Sequence, residues 1–415
     1  NIPLRMWANE IANNQTFDGS IWSAFMQDSW RLRPDLTLKL GLRWDMSRHT
    51  NDVGREVADL SMLKPRLGGA WTIGDAGKNI LRASWGRYMH PSSLHIAQST
   101  VERSTPYEIW YSCSFLGIPE AALCADIAAA EGLGYQTDQE NWDPAGWVLF
   151  PDLILASEPA QTAPGLEPMY ADELVLAYER ELYRRTSLEV SYVKKDTKRV
   201  IEDTCNGNIP TPTEDADCSY FVVGNIPGLR KSFEGLILRL ESRAYDWLHV
   251  AGSYVLSESE GAVPGWDITG NFDVFPYHFV NQYGYLGDHS RHRVKLNGFV
   301  ILPLDFSVAI NSWWNSEFRW EPRTQQPPVP YGSEYLEPRG NRSEAGIYQV
   351  DLQVGKGFRL GRTRLQLLGT VYNLLDTEIA DWVCNIDTGC GEYDLGDPQG
   401  WQQPRRYELG VRVEF

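Results

Sequence analysis

The sequence predicts an all-β chain built as a transmembrane antiparallel β-barrel. Three observations lead there: a strictly amphipathic final strand, many aromatic residues in a chain of low mean hydropathy, and a regular alternation of short and long links between strands. Tyr407, Leu409, Val411, Val413 and Phe415 form one apolar row, while charged residues or Gly fill the positions between them. Such period-2 alternation separates an oily face from a wet one. Aromatic residues make up 12% of the 415, with 16 Trp and 20 Tyr, and the mean hydropathy is -0.37. No run of eighteen apolar residues occurs, which excludes helical membrane spans. A barrel needs none, because only alternate strand residues face lipid and each strand needs only about 9–11 residues. The formal net charge of -17 argues against nucleic acid as a partner, since phosphates would be repelled.

About thirteen segments carry strand patterns. They are 21–32, 36–48, 64–73, 80–89, 170–183, 186–199, 231–245, 247–257, 291–303, 305–318, 346–360, 362–378 and 404–415. The links at one end are Arg33-Pro34-Asp35, Gly74 to Lys78, Arg184-Arg185, Asp246, Pro303-Leu304 and Gly361. Those at the other end are 49–63, 90–169, 200–230, 258–290, 319–345 and 379–403. Outer-membrane barrels have short periplasmic turns and longer extracellular loops. The final strand resembles the C-terminal assembly signal of that class and implies recognition by the barrel assembly machinery. With the C terminus periplasmic, every long link is expected outside the cell.

The strands repeat the amphipathic pattern. Leu36, Leu38, Leu40, Leu42 and Trp44 share one face, and Thr37, Lys39, Gly41, Arg43 and Asp45 the other. Leu188, Val190 and Tyr192, Val294, Leu296 and Val300, and Phe306, Val308 and Ile310 form similar rows. Segment 231–245 is less regular, because Phe233 and Ile237 oppose Leu236, Leu238 and Leu240, and a strand packed on both faces stays open there.

Six cysteines fall as three local pairs, Cys113 with Cys124, Cys205 with Cys218 and Cys384 with Cys390, each within one long link. Without Cys-x-x-Cys spacing or neighbouring His, structural disulfides in an oxidising compartment are expected rather than metal sites.

Several motifs carry a family resemblance. Phe25-Met26-Gln27-Asp28-Ser29-Trp30 followed by Pro34-Asp35-Leu36-Thr37-Leu38-Lys39-Leu40-Gly41-Leu42-Arg43-Trp44 resembles a hairpin of TonB-dependent outer-membrane receptors, especially the Oar-like group. Pro65-Arg66-Leu67-Gly68, Leu81 to Tyr88, Leu176 to Leu182, Asp288 to Arg293 and Val371-Tyr372-Asn373-Leu374-Leu375-Asp376 are similar to segments of that family in the same order. The resemblance implies a barrel closed by an N-terminal plug whose short box contacts the TonB complex; neither is found in this sequence. About thirteen strands, against 22 in barrels of this type, are expected to form the C-terminal part of the barrel. The topology places Asn1 to Gly19 in an extracellular loop. A separate N-terminal part is then expected, and a small self-closed barrel of about twelve or fourteen strands is the rival reading.

Enzymatic motifs are absent: no Gly-x-Ser-x-Gly, His-Glu-x-x-His, P-loop or Gly-x-Gly-x-x-Gly string occurs. His289 and His292 have a spacing a metal could use, and Glu214, Asp215 and Asp217 could hold calcium. Their sequence context suits a strand junction and a solvated acidic loop better, so no metal and no cofactor are expected. Trp110, Trp142, Trp147, Trp266 and Trp401 are the candidate ligand-binding residues, by stacking on a sugar or gripping a peptide; small loop cores or girdle positions are the alternative.

The expected function is an outer-membrane TonB-dependent receptor that captures a bulky solute with extracellular loops and passes it through a plugged barrel. Its expected surroundings are outer-membrane lipid and lipopolysaccharide, with surface lipoproteins or other envelope subunits as further partners. Two rivals are a non-transporting surface or envelope-complex barrel and a soluble all-β carbohydrate-binding protein.

Overall fold

Alternating side chains and short polar turns commit the chain to one long antiparallel meander. The computed structural model describes residues 5–8, 16–74, 77–90, 94–100, 108–114, 116–118, 120–136, 144–149, 161–205, 221–262, 280–287, 289–324 and 334–415. Thirteen strands lie side by side in chain order. They are β1 (Asp18–Arg33), β2 (Leu36–Thr50), β3 (Glu56–Ile73), β4 (Asn79–Met89), β5 (Tyr170–Glu181), β6 (Thr186–Lys198) and β7 (Lys231–Tyr245). β8 (Leu248–Gly261), β9 (His292–Leu302), β10 (Phe306–Asn315), β11 (Tyr348–Leu360), β12 (Thr363–Tyr372) and β13 (Arg406–Glu414) complete the sheet. It is open, with β1 and β13 as its edges. Among the described residues no helix is long and apolar enough to cross a membrane.

Register places the apolar side chains in rows across the sheet. One row runs Gly298, Ile310, Leu352, Val371 and Tyr407, and the next runs Val300, Val308, Val354, Gly369 and Leu409. Aromatic residues bracket these rows. Tyr254, Trp314 and Tyr348 stand toward the long links, and Trp30, Trp71, Tyr183, Tyr245, Trp247, Phe306 and Phe358 toward the short ones. Two aromatic belts flanking an exposed apolar band are the marks of a lipid-facing wall.

Several boundaries differ from the sequence expectation. The link at 49–63 shrinks to a tight turn, because β2 runs to Thr50 and β3 begins at Glu56. Asn51 shapes that turn by accepting the Arg55 N–H at 2.9 Å. Pro65, which has no N–H to give β4, stands where the β3–β4 pairing stops at Arg66 and Gly86. Beyond it Val57, Ala58 and Leu60 are free to be buried by Ile96 and Ala97 of α1 (His95–Ser99) and by Val200, Ile201, Val223 and Ile226. The start of the link at 258–290 is also strand, since β8 runs to Gly261.

The irregular β7 has a local cause. The Phe233 ring folds over Gly235, 3.1 Å from where a Cβ would stand there, so a large apolar residue points to the polar face to cover a glycine. Tyr88 covers Gly86 on β4 in the same way, also at 3.1 Å.

Candidate functional site

The polar face of the sheet carries a connected set of charges. Glu179 on β5, Glu189 on β6 and Arg239 on β7 lie in direct register. Arg82 on β4 reaches Glu179 at 2.6 Å and Glu189 at 3.6 Å, and Arg239 meets Glu189 at 3.2 Å. Nearer the long links, Asp45 pairs with Arg43 at 2.9 Å and with Lys64, and Arg43 also donates to Ser23 Oγ at 2.9 Å. Arg66 lies over the Tyr88 ring at 4.8 Å. Charges this dense cannot rest against hydrocarbon, so this face lines water or polar protein.

The long connections differ sharply in charge from the rest. Bounded by the observed strands, at 51–55, 90–169, 199–230, 262–291, 316–347 and 373–405, they hold 32 of the 55 Asp and Glu but only 10 of the 38 Lys and Arg, a net of -22, which leaves the rest of the chain at +5.

Three of these connections are joined by their backbones. The Tyr285 N–H donates to Arg339 O at 3.0 Å, Arg339 N–H to Asn281 O at 2.9 Å, and Arg323 N–H to Asn385 O at 2.7 Å. Close approach depends on glycine. A Cβ at Gly284 would meet the Arg339 carbonyl, and one at Gly340, whose φ is 63°, would meet the Tyr285 carbonyl. Glu321 is buried beneath, accepting from Arg323 Nε at 2.7 Å and from the Gly340 N–H at 3.0 Å. Hydrogen bonds from Arg342 and Asn341 hold the Glu337 carboxyl below the usual range.

The candidate tryptophans are scattered. Trp147 is 1% exposed, in the short strand Trp147–Leu149 whose Val148 packs with Cys113, Cys124, Ala128 and Ala145, so its ring is closed to a ligand. Trp110 is half-buried in the neighbouring strand Glu108–Ser112. Trp401 is 55% exposed on the hairpin of Ala380–Val383 and Pro398–Trp401, close in sequence register to the equally open Trp382. Trp142 and Trp266 lie outside the described residues, as do Cys218, Glu214, Asp215, Asp217 and Asp288. Disulfides join Cys113 to Cys124 and Cys384 to Cys390. The assembly row of Tyr407, Leu409, Val411, Val413 and Phe415 lies on the apolar face of the sheet edge, Val413 the least open of the five at 44%.

His289 and His292 do not converge. His289 Nδ1 accepts the Ser259 N–H at 3.1 Å, whereas His292 Nδ1 meets the Tyr254 hydroxyl at 2.8 Å. Burial pushes the His289 imidazole below its ordinary pKa, and Arg319 adds to this. No metal-holding cluster of His, Cys, Asp or Glu occurs among the described residues.

The motif at Val371 to Asp376 proves to be a clasp. Buried Asn373 donates through Nδ2 to Thr377 O and Gln403 O, both at 3.0 Å, and takes the Thr377 N–H on its own Oδ1 at 3.1 Å. It ties the outer end of β12 to the segment entering β13. Its role was invisible in the sequence, although the motif itself marked the place.

The family profile described as TonB dependent receptor-like, beta-barrel matches residues 3–374. The TonB-dependent transporter Oar of Myxococcus xanthus is 22% identical over 441 residues, covering 94% of this chain and 38% of that protein. The ferripyoverdine receptor of the outer membrane of Pseudomonas aeruginosa superimposes with a TM-score of 0.56 at 12% identity, covering 95% of this chain and 38% of that one. The ferric citrate transporter FecA gives 0.54 at 13% identity, covering 95% and 45%. The chain thus spans less than half the length of these relatives, and its open sheet follows part of their barrel wall. Sequence profile and fold agree, and the chain belongs to the TonB-dependent receptor β-barrel family.

Proposed function

We propose that this chain is the wall of an outer-membrane receptor that captures a bulky solute at its long connections and passes it through a plugged lumen. The observation that carries this reading is the sorting of links. The five long connections leave the same end of the sheet, together carry most of the acid, and are braced among the described residues by an apolar core, backbone hydrogen bonds or disulfides. Among the described residues the opposite end is made of tight turns, such as Arg184 and Arg185 at φ 41° and 54°. Binding loops held on a rigid scaffold are where ligand selection resides. In this reading the long links are extracellular and the C terminus is periplasmic. The apolar band contacts lipid and lipopolysaccharide, the β13 row is read by the barrel assembly machinery, and energy comes from TonB acting on an N-terminal part.

The test is a comparison of spent culture medium from wild-type cells, cells lacking this receptor and cells lacking TonB. The same solute should persist in the medium of both mutants and vanish from that of wild type. Unchanged media together with lost surface attachment would instead mark a non-transporting envelope protein.

A further inference from the structure

The connection between β12 and β13 is firmly braced and yet leaves two large rings bare. In its hairpin Ala380 pairs with Trp401 and Trp382 with Gly400, and the Cys384–Cys390 disulfide closes the far part. At its base Gln402 donates from its backbone N–H to Ile379 O and from its side chain to Tyr348 O, each at 2.9 Å. The Trp382 indole N–H donates to Gln399 Oε1 at 3.1 Å. Held in this way, Trp382 and Trp401 are still 61% and 55% exposed. Gly400, chain neighbour of Trp401 and strand partner of Trp382, has Asp381 Oδ1 lying over it, 2.5 Å from where a Cβ would stand. A carboxylate is thus set beside the pair of tryptophans. Across 373–405 there are seven carboxylates and one cation, Arg405, which pairs with Asp376 at 3.7 Å. Glu378, Asp381, Glu392 and Asp394 are exposed, and none has a cation partner among the described residues.

We infer that Trp382, Trp401 and Asp381 form a binding site for a basic peptide. A lysine or arginine of that peptide rests its cation on an indole face and directs its N–H donors at Asp381. The inference rests on the capture reading above, which places this hairpin outside the cell, and adds to it the chemical class of the solute. Charge complementarity names that class. An anionic chelate would be repelled by the same carboxylates, and so would phosphate-bearing lipid headgroups, which sets this pair apart from the aromatic belts. A neutral sugar would stack on the rings but would leave the carboxylates without a role. Glu378 and Asp381 lie at the base of the hairpin and Glu392 and Asp394 at its far part, a spread that one small cation cannot cover and a chain of several basic side chains can.

Calorimetric titration of the full receptor, purified from outer membranes, tests this with hexalysine, hexaglutamate and maltohexaose as probes. Hexalysine should bind wild type, and the other two should not. W382A/W401A should weaken hexalysine binding by about tenfold, the loss expected for two exposed cation–π contacts, and W382F/W401F by less. D381N should weaken it as well, with both rings in place. Heat-modifiable mobility of each variant verifies that the barrel has folded. If W382A/W401A folds and binds hexalysine as tightly as wild type, the carboxylates attract cations without a site and the inference is overturned. Binding of maltohexaose that disappears in W382A/W401A would overturn it too, in favour of a sugar platform. Tryptophan-dependent binding of hexalysine by a receptor whose loss leaves the spent medium unchanged would keep the inference and fail the transport reading instead, so the two failures are distinct.

Discussion

Ile310→Arg probes the lipid-facing band at its middle. Ile310 lies on β10 between Gly298 of β9 and Leu352 of β11, on the apolar face. Trp314 of one belt and Phe306 of the other are each four residues away along the same strand. Eight residues at about 3.3 Å each span roughly 26 Å, and a tilt of about 40° reduces this to roughly 20 Å along the membrane normal. That is close to the ~25 Å apolar band of such barrels, with Ile310 at its centre. An arginine at the midplane costs about 2–4 kcal/mol, or roughly 30- to 800-fold in the folded-to-unfolded ratio. Val411→Arg should cost only about 0–1 kcal/mol, because Val411 lies in the row of Phe306 and Lys356 at the band's lower edge. Asn311→Arg, one residue along on the polar face beside Asp351, should be tolerated. Urea unfolding in lipid vesicles, followed by heat-modifiable gel mobility, measures all three. Equal costs for Ile310→Arg and Asn311→Arg would refute the face assignment.

Acidification should loosen the junction of β8 and β9. The buried His289 imidazole has a folded pKa below its ordinary 6.5 even though Glu317 lies 3.6 Å away. Its contribution is therefore complete above about 6.5 and is lost as the pH falls through that value toward the folded pKa. Hydrogen exchange at the Ser259 amide should accelerate below pH 6 in wild type but show no such step in His289→Gln. Gly340→Ala should separate the connections that meet at Tyr285 and Arg339, costing about 1–3 kcal/mol from strained φ and backbone overlap. New proteolytic cuts near Arg339 would report it, and unchanged protection would contradict the close-approach argument. Reducing Cys113–Cys124, whose residues are 11 apart, should remove roughly 2–4 kcal/mol from its small loop core. Trp147 fluorescence should then shift to the red, whereas an unchanged spectrum would show that the core stands without the disulfide.

The thirteen barrel strands were legible because most of their length repeats a period-2 code, and a one-residue slip would move the Leu rows to the wet face. What the code could not supply were positions governed by distant partners. The outer half of β3 read as a link because Glu56, Asp59 and Ser61 interrupt it, and Val57, Ala58 and Leu60 make sense only against α1 and the later connections. Phe233 broke the pattern of β7 because its target is Gly235 rather than the apolar band. Trp147 looked like a loop tryptophan, since nothing local announces that it is buried in a short strand paired with Ser112 and Gln136 from distant parts of the chain. The clamp around Gly284 and Gly340 joins residues far apart in the chain, and lone glycines in a loop carry no signal of the carbonyl they must admit.

Orientation is the point on which capture outside and exit inside both depend. Single cysteines placed at Glu260, at the outer end of β8, and Thr388, on a long connection, and at Asp35 and Gly361, on the short turns, would be challenged on intact cells with a membrane-impermeant maleimide. Glu260 and Thr388 positions should label on intact cells, and Asp35 and Gly361 positions only after lysis. Labelling of the short turns on intact cells, with Glu260 and Thr388 positions silent, would invert the barrel and contradict the proposed receptor.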